Sequence, residues 1–329
     1  MKIEVLKQGA LYRVWAPAKV NLFFEILGKR PDGYHEIQTV ATPISLFDRL
    51  DFYLLPDKEP DLTLECYDAE GKTDPTVPTD RSNLVARAYD VFFDEIAKLG
   101  KKCDQVSCLV KIFKKIPSKA GLGGGSSDAA ATFAVLNAAS GFPFSKEKLQ
   151  ELAGRVGSDV PLFFEEGASI GRGRGEIVEP IDVPELFLVV LKPNVGLSTP
   201  EVYRTYASAP KKPKRSLEEF LATVKNAKNA SQIAKVLANR LEDSAALLWN
   251  GLAKRRALLD LTSDVLASQM TGSGTACFAL YPTLDAAERA AEEIRRVVAQ
   301  GKEKEFIGEN VYVVSTVISR PKLEEFDEP

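Results

Sequence analysis

Histidine is nearly absent from this chain of 329 residues, in which His35 stands alone. An HExxH zinc site, and any site that needs two histidines, is therefore excluded. The four cysteines form no CxxC pair, which excludes a zinc ribbon and a thioredoxin-like redox motif; they are Cys66, Cys103, Cys108 and Cys277. We expect four free thiols, as is usual in a reducing cytosol.

Long apolar runs and an excess of one charge are also missing. No run approaches the roughly 20 residues of a membrane span, and the first residues lack the apolar segment of a signal peptide. Lys and Arg number 43 against 46 Asp and Glu, which gives a formal net charge of −3. This balance gives no support for broad binding to nucleic acid or to anionic membranes. We expect a soluble cytoplasmic protein without such partners, either a monomer or a homodimer.

The length and composition indicate a globular protein of about two domains. At roughly 150 residues per domain the chain is slightly longer than two. Hydrophobic residues make up 45% and charged residues 27%, a mixture that disordered chains do not have. The pattern of the chain changes near residues 178–185. We therefore expect one domain over 1–180 and a second over 181–329.

The first half has alternating apolar residues and then helical periodicity. Strands are predicted over 12–27, 34–46, 50–55, 62–66 and 106–112, and helices over 84–99, 127–139 and 145–156. Asp80 or Ser82 is expected to cap the first of these helices. The glycine-rich stretch 167–175 predicts a turn between short strands.

The second half predicts a mixed α/β domain in the order β-α-α-β-α-β. Strands are expected over 185–192, 276–281 and 311–318, and helices over 231–238, 243–261 and 285–299. Thr199 is read as a helix N-cap, and Ser216 with Glu219 as a capping box. The basic run 211–215 is read as a solvated loop, and no function is assigned to it.

The most informative motif lies between a strand and an alanine-rich helix, where four of the five residues from Gly121 to Gly125 are glycine. Glycines let backbone N–H groups turn inward, and a helix start adds further free N–H groups, so the segment can hold a di- or triphosphate. The spacing excludes a Walker loop, and Ser126 at the third glycine position excludes the dinucleotide fingerprint. Valine at Gly124 is expected to be unable to adopt a positive φ and to block phosphate. A flexible turn is the alternative.

Polar residues in apolar surroundings suggest further parts of a site. Lys19 and Asn21 share one face of a strand, which could line a cleft or simply be exposed. Asp159, on a loop between apolar segments, could be a general base or a turn residue. His35 could be functional or merely packed. The segment 271–275, Thr-Gly-Ser-Gly-Thr, is a second glycine-rich turn.

In combination and in this order, the motifs resemble the 4-diphosphocytidyl-2-C-methylerythritol kinase family of the GHMP kinase superfamily. The resemblance extends from about residue 13 to about residue 320 and rests on the segments 16–22, 31–36, 120–130, 157–161 and 271–275. The glycine-rich loop is shared across the superfamily, whereas Asp-Gly-Tyr-His with the Ala-Lys-x-Asn strand is specific to this family. Thr275 departs from the expected Ser or Ala, and the loops 56–80 and 95–105 are long.

The resemblance implies a fold and an activity. The fold would be α+β, with an N-terminal ribosomal protein S5-like domain, a C-terminal ferredoxin-like domain and the active site in the cleft between them. The activity would be ATP-dependent phosphorylation of the 2-hydroxyl of 4-diphosphocytidyl-2-C-methyl-D-erythritol, with Mg²⁺ accompanying ATP. This reaction belongs to the non-mevalonate route to isoprenoid precursors.

The resemblance also implies roles for individual residues. ATP would be bound by Pro117, Ser118, Lys119, Ala120, Gly121, Leu122, Gly123, Gly124, Gly125, Ser126 and Ser127 around the phosphates and by Asn83 and Lys114 near the adenosine. The cytidyl substrate would be bound by Asn21, Tyr34, His35, Thr199 and Tyr203. Asp159 would accept the hydroxyl proton, and Lys19 would keep Asp159 ionised and stabilise developing alkoxide charge. No residue is assigned to a metal.

Two alternatives remain open at this stage. Another GHMP kinase could act on mevalonate, phosphomevalonate or homoserine, and competition by CMP would separate it from the first reading. A catalytically silent nucleotide-binding or regulatory protein could use the same fold. The presence of both Lys19 and Asp159 argues against the silent protein.

Overall fold

The computed structural model describes residues 2–7, 11–56, 61–99, 106–208, 215–299, 306 and 308–317. Cys103 and the basic run up to residue 214 lie outside these ranges. Cys66, Cys108 and Cys277 are buried free thiols, as expected. Within the described ranges, no helix has the length and apolar character needed to cross a membrane.

The first half of the chain is built on a large, mainly antiparallel sheet. Its strands are β1 (Lys2–Lys7), β2 (Leu11–Lys29), β3 (His35–Pro56), β4 (Leu62–Tyr67), β5 (Val106–Phe113), β6 (Ser169–Gly173) and β7 (Ile177–Pro180). The main order is β1-β2-β3-β5-β4, and β6 pairs with β3 and β7. The two strands predicted between residues 34 and 55 are one continuous strand, β3.

Helices cover one face of this sheet. They are α1 (Leu84–Lys98), α2 (Gly124–Ala139), α3 (Lys146–Val156) and a short 3-10 helix (Val160–Phe164). Their apolar faces bury Phe92 and Phe133 against Phe52 of the sheet. The predicted cap of α1 was wrong, because Asn83 holds that position and its side chain accepts a hydrogen bond from the backbone of Val85. Helix α2 begins three residues earlier than predicted.

The second half contains a four-stranded antiparallel sheet with helices. Its elements are β8 (Phe187–Lys192), α4 (Thr199–Ser208), α5 (Leu217–Val224), α6 (Ala230–Ala234), β9 (Ala238–Asn239), α7 (Glu242–Leu248), α8 (Gly251–Asp260), β10 (Ala267–Met270), β11 (Cys277–Tyr281), α9 (Leu284–Ala299) and β12 (Asn310–Ser315). The order is β10-β11-β8-β12, while β9 pairs with β2 of the first sheet.

The second sheet is buried on both faces. Val189 and Leu191 of β8 pack with α4, α8 and α9, whereas Leu188 and Val190 point the other way. That second face shares a core with α5, α6 and residues of the first sheet such as Ile44. The two halves are therefore joined by a common apolar layer, beside which their loops meet.

Three predictions in this half were wrong. The helix predicted over 231–238 ends at Ala234, because the chain then adds β9 to β2. The helix predicted over 243–261 is two helices, because Trp249 is extended at the break. Strand β10 was missed because two of its residues, Ser268 and Gln269, are polar although buried. In addition, Thr199 is the first residue of α4 rather than its cap.

The proposed boundary at residue 180 remains a prediction. The chain leaves β7 at Pro180 and enters the second sheet at Phe187.

Candidate active site

A cavity of about 1000 Å³ lies where the two halves meet. Its wall combines the end of β2 and the start of β3, the glycine-rich loop, α4 and the turn that precedes β11. Ten of the predicted site residues contribute to it: Lys19, Tyr34, His35, Lys119, Gly121, Gly123, Ser126, Asp159, Thr199 and Tyr203. Residues far apart in the chain are thus brought to one place by the fold.

Lys19 and Asp159 face each other in this cavity. The Lys19 Nζ lies 3.4 Å from the Asp159 Oδ2, and the side chains are 4% and 37% exposed, respectively. Lys19 also donates a hydrogen bond of 2.5 Å to the Asn21 Oδ1. The predicted shared face of Lys19 and Asn21 is therefore confirmed. An ammonium group that is almost fully buried here contacts a partly exposed carboxylate. Such a pair can activate a hydroxyl that lies between it and a nucleotide and can stabilise the charge that develops.

Asp159 does not serve as a capping side chain. It occupies the N-cap position of the 3-10 helix, but its carboxylate makes no cap hydrogen bond there. The alternative of a turn aspartate that holds only local backbone is thereby weakened, and the carboxylate remains available to a ligand.

Asn21 lies behind Lys19 rather than on the cavity wall. It is 1% exposed, its Nδ2 donates to the Thr39 Oγ1 at 2.8 Å, and its Oδ1 accepts from Lys19 and, at 3.2 Å, from the Thr271 Oγ1. All its polar atoms are occupied within the chain. The structure thus places Asn21 as a support for the ammonium, and direct contact with substrate stays a prediction.

The glycine-rich loop turns its backbone toward the cavity. Gly121 and Gly123 have φ values of +76° and +72°, and Gly123 begins α2 without a side-chain cap. The N–H groups of the first turn of α2 are therefore available to an anion, together with the positive end of the helix dipole. Ala120, Leu122 and Ser127 are buried and do not line the cavity, so contact of these residues with ATP stays a prediction.

Gly124 does not have the positive φ that was expected. It is helical, and a Cβ there would lie 2.9 Å from the Ile116 Cγ2, on the core side. A valine at Gly124 would therefore disturb packing rather than obstruct phosphate. Gly123 is the residue with the constrained backbone, and its Cβ would lie 3.0 Å from Lys19 and Phe163 side-chain atoms.

Gly123→Ala is expected to weaken ATP binding, whereas Gly125→Ala should not. Alanine at positive φ costs roughly 1–2 kcal/mol, and its Cβ would push the loop away from Lys19. At Gly125 the nearest atom to a new Cβ is 3.7 Å away, on Leu84, and the φ is ordinary. Calorimetric titration with ATP, with urea unfolding as a check on stability, compares the two variants. Equal ATP affinity would contradict the assignment.

A buried ion cluster supports the start of α2. The Lys114 ammonium donates to the Asp48 carboxylate and, at 2.7 Å, to the Asp128 Oδ2. The Asp48 Oδ1 also accepts from the backbone N–H groups of Lys115 and Ile116, at 2.6 and 2.8 Å. Lys114 is thus held by two carboxylates, and Asn83 caps α1 and donates to Pro78. Contact of Asn83 and Lys114 with adenosine stays a prediction.

Asp128 should make stability depend on pH. Burial raises its pKa to about 7, although the Lys114 ammonium acts in the opposite direction. The protonated acid is therefore favoured in the folded state, and the stability that it contributes is lost as pH rises from about 4 to about 7. Asp128→Asn removes this ionisation. Urea unfolding at pH 5 and pH 8 should shift in favour of the variant at the higher pH; a constant difference would contradict the account.

Aromatic residues form the opposite side of the cavity. The His35 ring lies 5.0 Å from that of Tyr203 and 6.3 Å from that of Tyr206. Burial, together with the charge of Lys29, lowers the pKa of His35, which favours the neutral imidazole. Tyr34 is 55% exposed, and a flat ring could stack there.

Several wall residues were not assigned a role from the sequence. Lys29 and Arg174 line the cavity, and the Arg174 guanidinium lies 4.9 Å from the Tyr34 ring centre. The turn at 271–275 also contributes: its Ser273 Oγ lies 2.7 Å from the Thr199 Oγ1. The turn was visible as a motif, whereas the two cations had no distinguishing pattern. Among the residues that the structure describes, no group of three or more His, Cys, Asp or Glu is placed to hold a metal ion.

Comparison with known proteins first defines the class of protein to which this chain belongs. The model of the GHMP kinases N terminal domain matches residues 83–167, and that of the GHMP kinases C terminal matches residues 220–300. A homoserine kinase from Cytophaga hutchinsonii, at 17% identity, has the same fold with a TM-score of 0.68 over 96% of this chain and 98% of that one. The predicted α+β GHMP kinase fold is confirmed.

Closer relatives then define the family. Curated 4-diphosphocytidyl-2-C-methyl-D-erythritol kinases of Pelotomaculum thermopropionicum and a Synechococcus strain are 36% and 35% identical over 87% and 85% of this chain, and 94% and 88% of their own lengths. A crystal structure of 4-(cytidine 5'-diphospho)-2C-methyl-D-erythritol kinase matches with a TM-score of 0.71 and 30% identity, over 93% of this chain and 99% of that one. The chain belongs to the 4-diphosphocytidyl-2-C-methyl-D-erythritol kinase family.

Proposed function

We propose that this protein transfers the γ-phosphoryl group of ATP to the 2-hydroxyl of 4-diphosphocytidyl-2-C-methyl-D-erythritol, a step of the non-mevalonate route to isoprenoid precursors. The observation that carries the proposal is the position of the Lys19–Asp159 pair. It shares one cavity with the glycine-rich loop, which suits a triphosphate, and with the His35–Tyr203 pair, which suits a nucleobase. Family membership supports the choice of substrate.

ATP would bind with its phosphates against the loop from Pro117 to Ser127. The free N–H groups at the start of α2 match the negative charge of the phosphates. Magnesium accompanies ATP in such reactions and binds mainly to phosphate oxygens and a few protein oxygens. On this cavity wall, the Ser126 hydroxyl is an oxygen donor of that kind, and the ion would neutralise phosphate charge.

The proposed chemistry needs one proton transfer and one displacement. The Asp159 carboxylate accepts the proton of the 2-hydroxyl, the hydroxyl oxygen forms a bond to the γ-phosphorus, and the bond to the β-phosphate oxygen breaks to release ADP. The Lys19 ammonium stabilises negative charge on the reacting oxygens and is held in place by Asn21. Phosphoryl transfer depends mainly on such positioning and charge stabilisation.

The cytosine would be recognised by His35. A neutral imidazole offers one donor and one acceptor on diverging sides of the ring, so one of them can pair with the cytosine edge while a neighbouring backbone group meets the adjacent position. Burial, with a contribution from the Asp159 charge, raises the pKa of Tyr203 above its ordinary value, so its ring stays neutral beside the imidazole. Uracil has an acceptor at position 4 and a donor at N3, and would leave buried groups mispaired.

His35→Ala is expected to raise the KM for the cytidyl substrate and to reduce the preference over the uridyl analogue. Each mispaired buried group costs about 1–3 kcal/mol in the intact pocket, and this discrimination disappears with the imidazole. The KM for ATP should hardly change. Steady-state kinetics with both analogues test this. An unchanged cytidyl-to-uridyl ratio would show that other groups read the base.

The proposal is tested by ADP formation with three acceptors: the cytidyl substrate, mevalonate and homoserine. We expect turnover only with the first, and inhibition by CMP that is competitive with it. Turnover with mevalonate or homoserine, unaffected by CMP, would replace the proposal by another GHMP kinase activity. ATP binding without turnover on any acceptor would favour a silent nucleotide-binding protein.

A further inference from the structure

In the second half of the chain, the side-chain amide of Asn239 uses all its hydrogen-bonding groups to hold the turn at residues 271–274. This turn lies beside Asn21, which supports the Lys19 ammonium. The Asn239 Nδ2 donates to the backbone oxygens of Met270 and Gly272, at 2.8 and 2.9 Å. The Asn239 Oδ1 accepts from the backbone N–H of Leu241 at 3.0 Å. The amide therefore joins the end of β10 to the turn that follows it, from both sides of residue 271.

The residue between those two carbonyls contacts the strand that carries Lys19. The Thr271 Oγ1 accepts from the backbone N–H of Asn21 at 3.0 Å and lies 3.2 Å from the Asn21 Oδ1. The side chain of Gln269 adds a bond of 2.9 Å to the Asn21 backbone oxygen. The position of the turn thus bears directly on the amide that holds the Lys19 ammonium.

The turn also contacts the glycine-rich loop. A Cβ at Gly121 would lie 2.2 Å from the Thr271 backbone oxygen, so the two backbones are in close approach there. Gly272, Ser273 and Gly274 themselves line the cavity. A displaced turn would therefore alter both the phosphate side and the acceptor side of the site.

The backbone at Asn239 is held in place by strand β2. Ala238 and Asn239 form β9, which pairs in parallel with Phe23 and Phe24 of β2. The adjacent backbone N–H of Arg240 donates to the Phe24 oxygen at 2.8 Å. Asn239 is thus anchored to β2, the strand that carries Lys19, at positions four and five residues after Lys19. Its side chain reaches from there to the turn.

We propose that Asn239 is a positioning residue for phosphoryl transfer, which fixes the 271–274 turn so that Thr271 holds Asn21 and Asn21 holds Lys19. The kinetic consequences of this inference rest on the proposed function, whereas its structural consequences do not. An asparagine is required because two carbonyl oxygens must be met by N–H donors. An aspartate would place a carboxylate oxygen, which cannot donate, next to both carbonyl oxygens.

The experiment compares Asn239→Asp with Asn229→Asp. Asn229 is the N-cap of α6 and accepts from the backbone of Gln232, a role that aspartate fulfils equally well. Hydrogen exchange is measured over 19–22 and 270–275. We expect Asn239→Asp, but not Asn229→Asp, to accelerate exchange at Asn21 and in the turn. Unchanged protection at Asn21 would overturn the inference irrespective of any activity.

Kinetics then separate positioning from general destabilisation. Asn239→Asp and Thr271→Val should each lower kcat by roughly 10–100-fold, as small displacements at a reaction centre do. They should raise the KM for ATP by a smaller factor, because the turn also touches the glycine-rich loop. In the double variant the losses should not multiply, because both act through Asn21. Losses that multiply fully would overturn the inference. Asn239→Ala, which adds no charge, gives the same comparisons if the aspartate variant does not fold.

The two proposals fail in different ways. A wild-type protein that does not phosphorylate the cytidyl substrate overturns the proposed function, and the exchange data still decide the coupling of Asn239 to Asn21. An active wild-type protein with normal Asn21 protection in Asn239→Asp overturns only the positioning role.

Discussion

Asp159→Asn should lower kcat by about 10²–10⁴-fold, the usual cost of losing a general base. The amide keeps the shape of the side chain but cannot accept the hydroxyl proton at neutral pH. Because the Asp159 carboxylate makes no capping bond, the 3-10 helix should be unaffected, and thermal unfolding measures the cost of removing the ion-pair partner of Lys19. ATP affinity, measured by calorimetry, should stay within a few-fold, since the glycine-rich loop is unchanged.

Asp182→Asn is the matched control for this result. Asp182 lies in the segment of chain that joins β7 to β8. It is exposed and does not line the cavity. The same charge removal there should leave kcat unchanged. If Asp159→Asn kept near-normal turnover, the carboxylate would have no role in proton transfer and the proposed mechanism would be wrong.

Lys19→Met should produce the second large loss, of roughly 10²–10³-fold in kcat, comparable to the removal of one charge-stabilising donor. Methionine has nearly the same length and fits a side chain that is only 4% exposed. Its thioether cannot stabilise the reacting oxygens or hold the Asp159 carboxylate in place. Stopped-flow or steady-state assays at saturating ATP measure the change, and thermal unfolding shows whether the fold is retained.

Exposed Lys235 provides the control for this substitution, and Lys235→Met should retain full turnover. A double variant of Lys19→Met and Asp159→Asn should be little worse than the poorer single variant, because residues that act as a unit are not additive. Losses that multiply in the double variant would mean that the two side chains act on separate steps.

Local patterns in the sequence predicted local parts of the site well. A period of two placed Lys19 and Asn21 on one face of a strand, and glycine density marked the strand-to-helix turn at Gly121–Gly125. The approach of Asp159 to Lys19 could not come from spacing, because 140 residues separate them, as the numbering shows. That part came from resemblance to the family, which supplied a known arrangement for both motifs.

Other features were set by tertiary contacts that leave no local signal. Gln269 lies in a buried strand because its amide bonds to the Asn21 backbone, so β10 has no apolar alternation. Gly124 was predicted to have a positive φ, but the left-handed residue is its neighbour Gly123, a distinction that adjacent glycines cannot reveal. Helices α7 and α8 were predicted as one helix, but the extended Trp249 and the following Asn250 separate them.

The most direct test of the account is ³¹P NMR of the purified protein with ATP, Mg²⁺ and 4-diphosphocytidyl-2-C-methyl-D-erythritol. The account predicts one new phosphomonoester signal on the tertiary 2-hydroxyl, an intact cytidyl diphosphate and one ADP for each product formed. Release of inorganic phosphate alone, or no change in the acceptor while ATP is consumed, would contradict it.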